Sequence, residues 1–122
     1  MSLLAAILVA ATSLQVTVWP EGPGHGKRTY TLRCAPAAGT LPKASAACTR
    51  LARMTHPFAP TRKDTVCTDL YGGPAEALVT GRLRGYTVSA RFNRRNGCEA
   101  GRWSRVGFLF PGIGSGGAPS RR

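Results

Sequence analysis

Leu14-Gln15-Val16-Thr17-Val18-Trp19 alternates apolar and polar positions, the two-residue period of a strand with one buried face. Arg28–Cys34 alternates again, with Tyr30, Leu32 and Cys34 on one side. A Pro- and Gly-rich segment, 20–26, lies between the two runs, so they are expected to form an antiparallel hairpin. From Lys43 to Met54 the period changes. Ala44, Ala47, Cys48, Leu51 and Ala52 recur at helical spacing, and Pro57 and Pro60 stop the helix. A strand run follows at Ala75 to Arg82, with a turn over Gly81–Gly85. Tyr86–Phe92 then alternates cleanly, which predicts Tyr86, Val88, Ala90 and Phe92 pointing inward. Asn96-Gly97 reads as a turn, Glu99–Arg105 has room for one helical turn, and Val106–Phe110 reads as a closing strand.

Between the helix and the third strand run lies a stretch with neither period, Val66 to Pro74. Cys67 anchors its start, and Gly72-Gly73-Pro74 closes it with a turn. Taken alone, it reads as an ordinary surface loop beside a structural cysteine. The sharper reading is a rigid protein-binding loop, because a segment ordered at folding need not be ordered again on binding.

The two ends differ from the middle. Met1–Ala11 is apolar but too short to cross a bilayer, and Val9-Ala10-Ala11 suits a small-residue cleavage site. Residues 1–13 are therefore expected to be an export signal, truncated at its start, since no Lys or Arg precedes the apolar run. Residues 14–110 are read as one domain and residues 111–122, rich in Gly, Ser and Pro, as a disordered tail.

Four cysteines in 122 residues point to disulfides and an oxidising compartment. A zinc site fails on spacing, because Cys34, Cys48, Cys67 and Cys98 include no Cys-x-x-Cys pair and neither His25 nor His56 completes a ligand pattern. Spacing alone leaves three pairings open. The net charge of +12 attracts anions, yet the arginines are scattered and accompany no zinc finger, RNA-binding or helix-turn-helix pattern. They are read as solvated surface charge, with no specific nucleic acid and no membrane as partner. Two aspartates, three glutamates and two histidines, none clustered, make a poor catalytic inventory. No nucleophile elbow, Walker or dinucleotide pattern is present, and Gly112-Ile113-Gly114 lacks the helix such a site needs. The expectation is a protein that is not an enzyme, with no cofactor and no metal.

Several short motifs together resemble the Streptomyces-type subtilisin inhibitor family. They are Thr31-Leu32-Arg33-Cys34-Ala35-Pro36, Ala47-Cys48 on a helix, Val66-Cys67 before Tyr71-Gly72-Gly73-Pro74, Asn96-Gly97-Cys98-Glu99, and Phe108-Leu109-Phe110. The resemblance runs from about Leu14 to Phe110. It implies an α+β fold: a five-stranded antiparallel sheet with two helices on one side and two disulfides, Cys34–Cys48 and Cys67–Cys98. It further implies a secreted homodimer, joined through a sheet face, that inhibits serine proteases.

By position, the family's reactive bond corresponds to Asp69–Leu70. Val66, Cys67 and Thr68 would then line the preceding subsites of a protease, Tyr71 and Gly72 the following ones, and Asn96 would support the loop. Well-known family members carry Met, Lys or Arg where this chain has Asp69. A carboxylate entering an apolar pocket sheds its hydration without gaining a partner, at a cost of several kcal/mol. The expected target is therefore an acid-preferring serine protease, or a subtilisin-like one bound with reduced affinity. The alternative is a non-inhibitory basic module of the same fold that binds anionic surfaces or polymers.

Overall fold

The computed structural model describes residues 11–113. Thr12–Trp19 (β1), Arg28–Cys34 (β2), Glu76–Leu83 (β3) and Tyr86–Phe92 (β4) form one antiparallel sheet in the order β2-β1-β3-β4. β1 and β2 pair as the hairpin expected, with Leu14 opposite Leu32. Two nine-residue helices, Ala44–Ala52 (α1) and Gly97–Arg105 (α2), complete the architecture.

The alternation along each strand sends one set of side chains to a single core. Leu14, Val16, Val18, Leu32, Val79 and Phe92 are buried with Ala47 and Leu51 of α1 and Trp103 of α2, so both helices cover the same face. An aromatic chain closes one end: Phe58 meets Phe92 at 6.3 Å, Phe92 meets Phe110 at 5.4 Å and Phe110 meets Trp103 at 4.6 Å between ring centres.

The sheet has four strands, not the expected five. Val106–Phe110 is not a closing strand. It continues α2 into a 3-10 turn at Gly107–Leu109, with Leu109 N–H on Val106 O and Phe110 N–H on Gly107 O, both at 2.9 Å. The buried residues explain the difference. Val106, Leu109 and Phe110 all face the core, a spacing of three and then one that a helical turn satisfies and an alternating strand does not.

Three smaller expectations also change. α2 spans nine residues, not one turn, because the Asn96 side chain caps it by accepting the Glu99 N–H at 2.9 Å. The β3–β4 connection is only Arg84-Gly85, both at positive φ, the conformation of a tight hairpin turn. Gly81 therefore lies inside β3, where a side chain would overlap the Ser13 carbonyl. Tyr86, expected inward, is 77% exposed at the edge next to that turn.

Cys34 pairs with Cys48, tying β2 to α1, and Cys67 pairs with Cys98, tying the irregular segment to α2. On the chain-entropy account, closing 14 and 31 residues stabilises the fold by about 3 and about 3.7 kcal/mol. Most of the expected export signal, residues 1–10, lies outside the described residues, while Thr12 and Ser13 belong to β1. Of the expected tail, Ile113 packs partly against the core, and residues 114–122 lie outside the described residues.

Candidate functional site

Residues 65–73 form no helix or strand, yet they are fastened from three sides. The Cys67–Cys98 bridge holds the start of the loop on the first turn of α2. One residue on, Gly97 N–H donates to Thr68 O at 2.9 Å. At the far side, Gly72 N–H donates to Arg94 O at 2.6 Å. All these partners come from the connection between β4 and α2 or the start of α2, so a single short segment forms the floor of the loop.

That floor is itself tied to the core and to β3. Arg94 is only 7% exposed, and its guanidinium lies over the Trp103 ring at 5.6 Å. Asn93 accepts the Arg95 N–H at 2.9 Å, and the Arg95 side chain pairs with Glu76 at the start of β3. The segment entering the loop is tied to α2 as well. Thr61 donates its hydroxyl to Glu99 at 2.8 Å, while Arg102 binds Glu99 and the Ala59 carbonyl, both at 2.9 Å.

Between the fastenings, Asp69, Leu70 and Tyr71 stand in solvent. Of the four large apolar side chains exposed among the described residues, three belong to this loop: Val66 at 95%, Leu70 at 63% and Tyr71 at 64%. Exposed apolar side chains on a segment whose backbone is held in place favour contact with another protein. Between its two main-chain fastenings the loop carries an exposed carboxylate, Asp69.

The structure gathers the expected contact residues Val66, Cys67, Thr68, Asp69, Leu70, Tyr71 and Gly72 into this one loop. Asn96 lies beneath it, but its side-chain oxygen serves the helix cap, and the bond to the loop comes from the backbone of Gly97. Reading the sequence in segments misses Gly97 and Arg94. A methyl group at Gly97 would overlap Thr68 Oγ1, so the close approach of α2 to the loop favours glycine there. Among the described residues no group of three His, Cys, Asp or Glu could hold a metal ion, and no helix is long and apolar enough to cross a membrane.

A family model described as subtilisin inhibitor-like matches residues 10–96. A subtilisin inhibitor-like protein 4 from Streptomyces lavendulae is 36% identical over 105 residues, covering 77% of this chain and 85% of that protein. The fold is similar to that of Streptomyces caespitosus sermetstatin, solved in complex with Bacillus licheniformis subtilisin. The TM-score is 0.52 at 23% identity, over 83% of this chain and 98% of the other. On the family match and this relative, the chain belongs to the subtilisin inhibitor-like family.

Proposed function

We propose that this chain inhibits serine proteases by offering Val66–Gly72 as a substrate-like strand, with Asp69–Leu70 as the reactive bond, and that it does so as a secreted protein. The family is one of protease inhibitors and not of enzymes. The similar fold of sermetstatin, solved bound to subtilisin, agrees with a serine protease as the partner class. The observation that carries the reading is the pair of main-chain fastenings at Thr68 O and Gly72 N on either side of an exposed Asp69-Leu70-Tyr71.

In this mechanism the loop enters the protease cleft and pairs with an edge of the enzyme's backbone. Asp69 fills the primary specificity pocket; Leu70 and Tyr71 occupy the subsites beyond the bond. The protease attacks the Asp69 carbonyl, and the new amine forms on Leu70. The bridge and the Gly97 bond retain the chain before the cut, while the Arg94–Gly72 bond retains the chain after it. The two ends stay within reach of each other, so rejoining competes with hydrolysis.

Asp69 decides the target. A pocket with a cationic partner accepts the carboxylate, and an apolar or anionic pocket does not. The test is titration of the secreted protein against a panel holding a glutamate-specific serine protease, a subtilisin and a trypsin. Inhibition is expected to be strongest for the acid-preferring enzyme. Absence of inhibition across the panel, for the wild type and for Asp69→Met and Asp69→Lys alike, would refute the reading.

A further inference from the structure

Among the described residues, Arg94 is the only charged residue buried to less than a tenth of its surface. Its neighbours in the floor are paired, Arg95 with Glu76 and Arg102 with Glu99. Arg94 has no carboxylate within ion-pair reach among the described residues, and its Nε is fully buried without a hydrogen-bond partner. The Trp103 face offsets part of the cost of desolvating the charge, but it accepts no hydrogen bond in the plane of the guanidinium. Packing alone does not account for this group. An unbranched apolar side chain such as methionine would fill the same space without burying a cation.

The side chain runs beneath the exit of the loop. A Cβ placed on Gly72 would stand 3.1 Å from Arg94 Cβ and 3.5 Å from its Nε. The Gly72 N–H already points at this floor, donating to Arg94 O. The carbonyls of Leu70 and Gly72 accept no main-chain hydrogen bond among the described residues. In an extended strand the N–H and C=O of one residue point to the same side, and the side alternates from residue to residue. A protease cleft draws a substrate-like segment into that extended form. With Gly72 N–H held on the floor, extension turns the carbonyls of Gly72 and Leu70 toward the floor and that of Tyr71 toward the enzyme.

We infer that Arg94 is a positioning residue for the segment after the reactive bond, its guanidinium donating to the Leu70 and Gly72 carbonyls when a protease extends the loop. The inference rests on the reading of Asp69–Leu70 as that bond. A guanidinium carries several N–H donors in a fixed planar fork, so one side chain serves two neighbouring carbonyls. The contact belongs to the extended loop, so it favours the bound form over the free one. It also holds the residue that matters after the cut. Leu70 carries the new amine, and an amine kept against the acyl group rejoins it faster than it drifts away.

The test uses the full chain carrying Asp69→Met, with subtilisin as the protease. Arg94→Met keeps the buried stem and removes the donors; Arg94→Lys keeps the charge and removes the planar fork. Arg94→Met should raise the rate at which cleaved chain accumulates in the complex by about tenfold, the scale of one hydrogen bond to a charged donor. Arg94→Lys should leave most of that increase in place. With Arg94 intact, its Nε–H resonance should shift when subtilisin binds, and its hydrogen exchange should slow at least about tenfold. That signal needs no variant, so it decides the matter even if both substitutions unfold the chain. An unmoved Nε–H signal, a cleavage rate unchanged by Arg94→Met, or full rescue by Arg94→Lys would each overturn the inference while leaving the reactive-loop reading in place. No inhibition by the Asp69→Met parent would overturn both.

Discussion

Removing the two disulfides one at a time separates stability from inhibition. Each bridge is opened by changing both of its cysteines to serine, in an Asp69→Met background that gives subtilisin an acceptable specificity residue. The closed segments are 14 and 31 residues, so the chain-entropy account assigns losses of about 3 and about 3.7 kcal/mol. For a domain of this size both variants should melt roughly 10–20 °C lower, close to one another. Their effects on the loop should differ sharply. Cys34–Cys48 joins β2 to α1 and touches none of the fastenings at Thr68 or Gly72. Cys67–Cys98 is itself a fastening, one residue from Thr68. Below both melting temperatures, the variant without Cys34–Cys48 should inhibit subtilisin as its parent does. The variant without Cys67–Cys98 should be cut after residue 69 and consumed, with activity returning as cleaved chain accumulates in mass spectra. Equal loss of inhibition in both would mean that overall stability, not the local clamp, controls the loop. Unchanged inhibition in both would refute the clamp altogether.

Other expectations need simpler measurements. Asp69→Met should improve the inhibition constant for subtilisin at least about tenfold, and Asp69→Lys should create trypsin inhibition, because each removes an unpartnered carboxylate from the pocket. Gly97→Ala should cost about 1 kcal/mol in a urea titration, since the new methyl forces Thr68 off its rotamer; adding Thr68→Ala should recover most of that loss. Phe110→Ala should cost about 3–5 kcal/mol in the same assay, because the fully buried ring bridges Phe92 and Trp103.

The strands were legible because alternation is a local property. In Leu14–Trp19 every second residue is apolar, and Leu14, Val16 and Val18 are the ones buried. The end of the domain was harder to read because Val106–Phe110 is a short apolar run that suits either period. Only contact with Phe92 and Trp103 selects the helical turn. The length of α2 is hidden for a different reason. Gly97 and Gly101 lower its intrinsic helicity, whereas the Asn96-x-x-Glu99 pattern that caps it was present to be read. The floor of the loop depends on contacts between distant segments, Thr68 with Gly97 and Gly72 with Arg94, which no local pattern encodes. Arg94 looks like one more solvated arginine in the sequence, yet its stem and guanidinium lie buried against Trp103.

With Asp69–Leu70 as the proposed reactive bond, shape and specificity fall to different residues. The groups that fix the loop are backbone atoms at Thr68, Gly72, Arg94 and Gly97, and the bridge between Cys67 and Cys98. None of them is the side chain of residue 69, which stands exposed at the crest. On the proposed mechanism, an aspartate there leaves the conformation of the bond intact while changing which pocket will accept it. If Asp69–Leu70 is the reactive bond proposed above, Asp69 redirects the inhibitor and does not dismantle it. On the proposed mechanism, the protease engaged is set by one exposed side chain on a frame whose own stability comes from the aromatic core, the helix cap and the disulfides beneath. The consequence is a separation of effects: substitutions at residue 69 should move inhibition from one enzyme class to another with little change in melting temperature. Substitutions in the floor should instead shorten the life of the complex with whichever enzyme is bound.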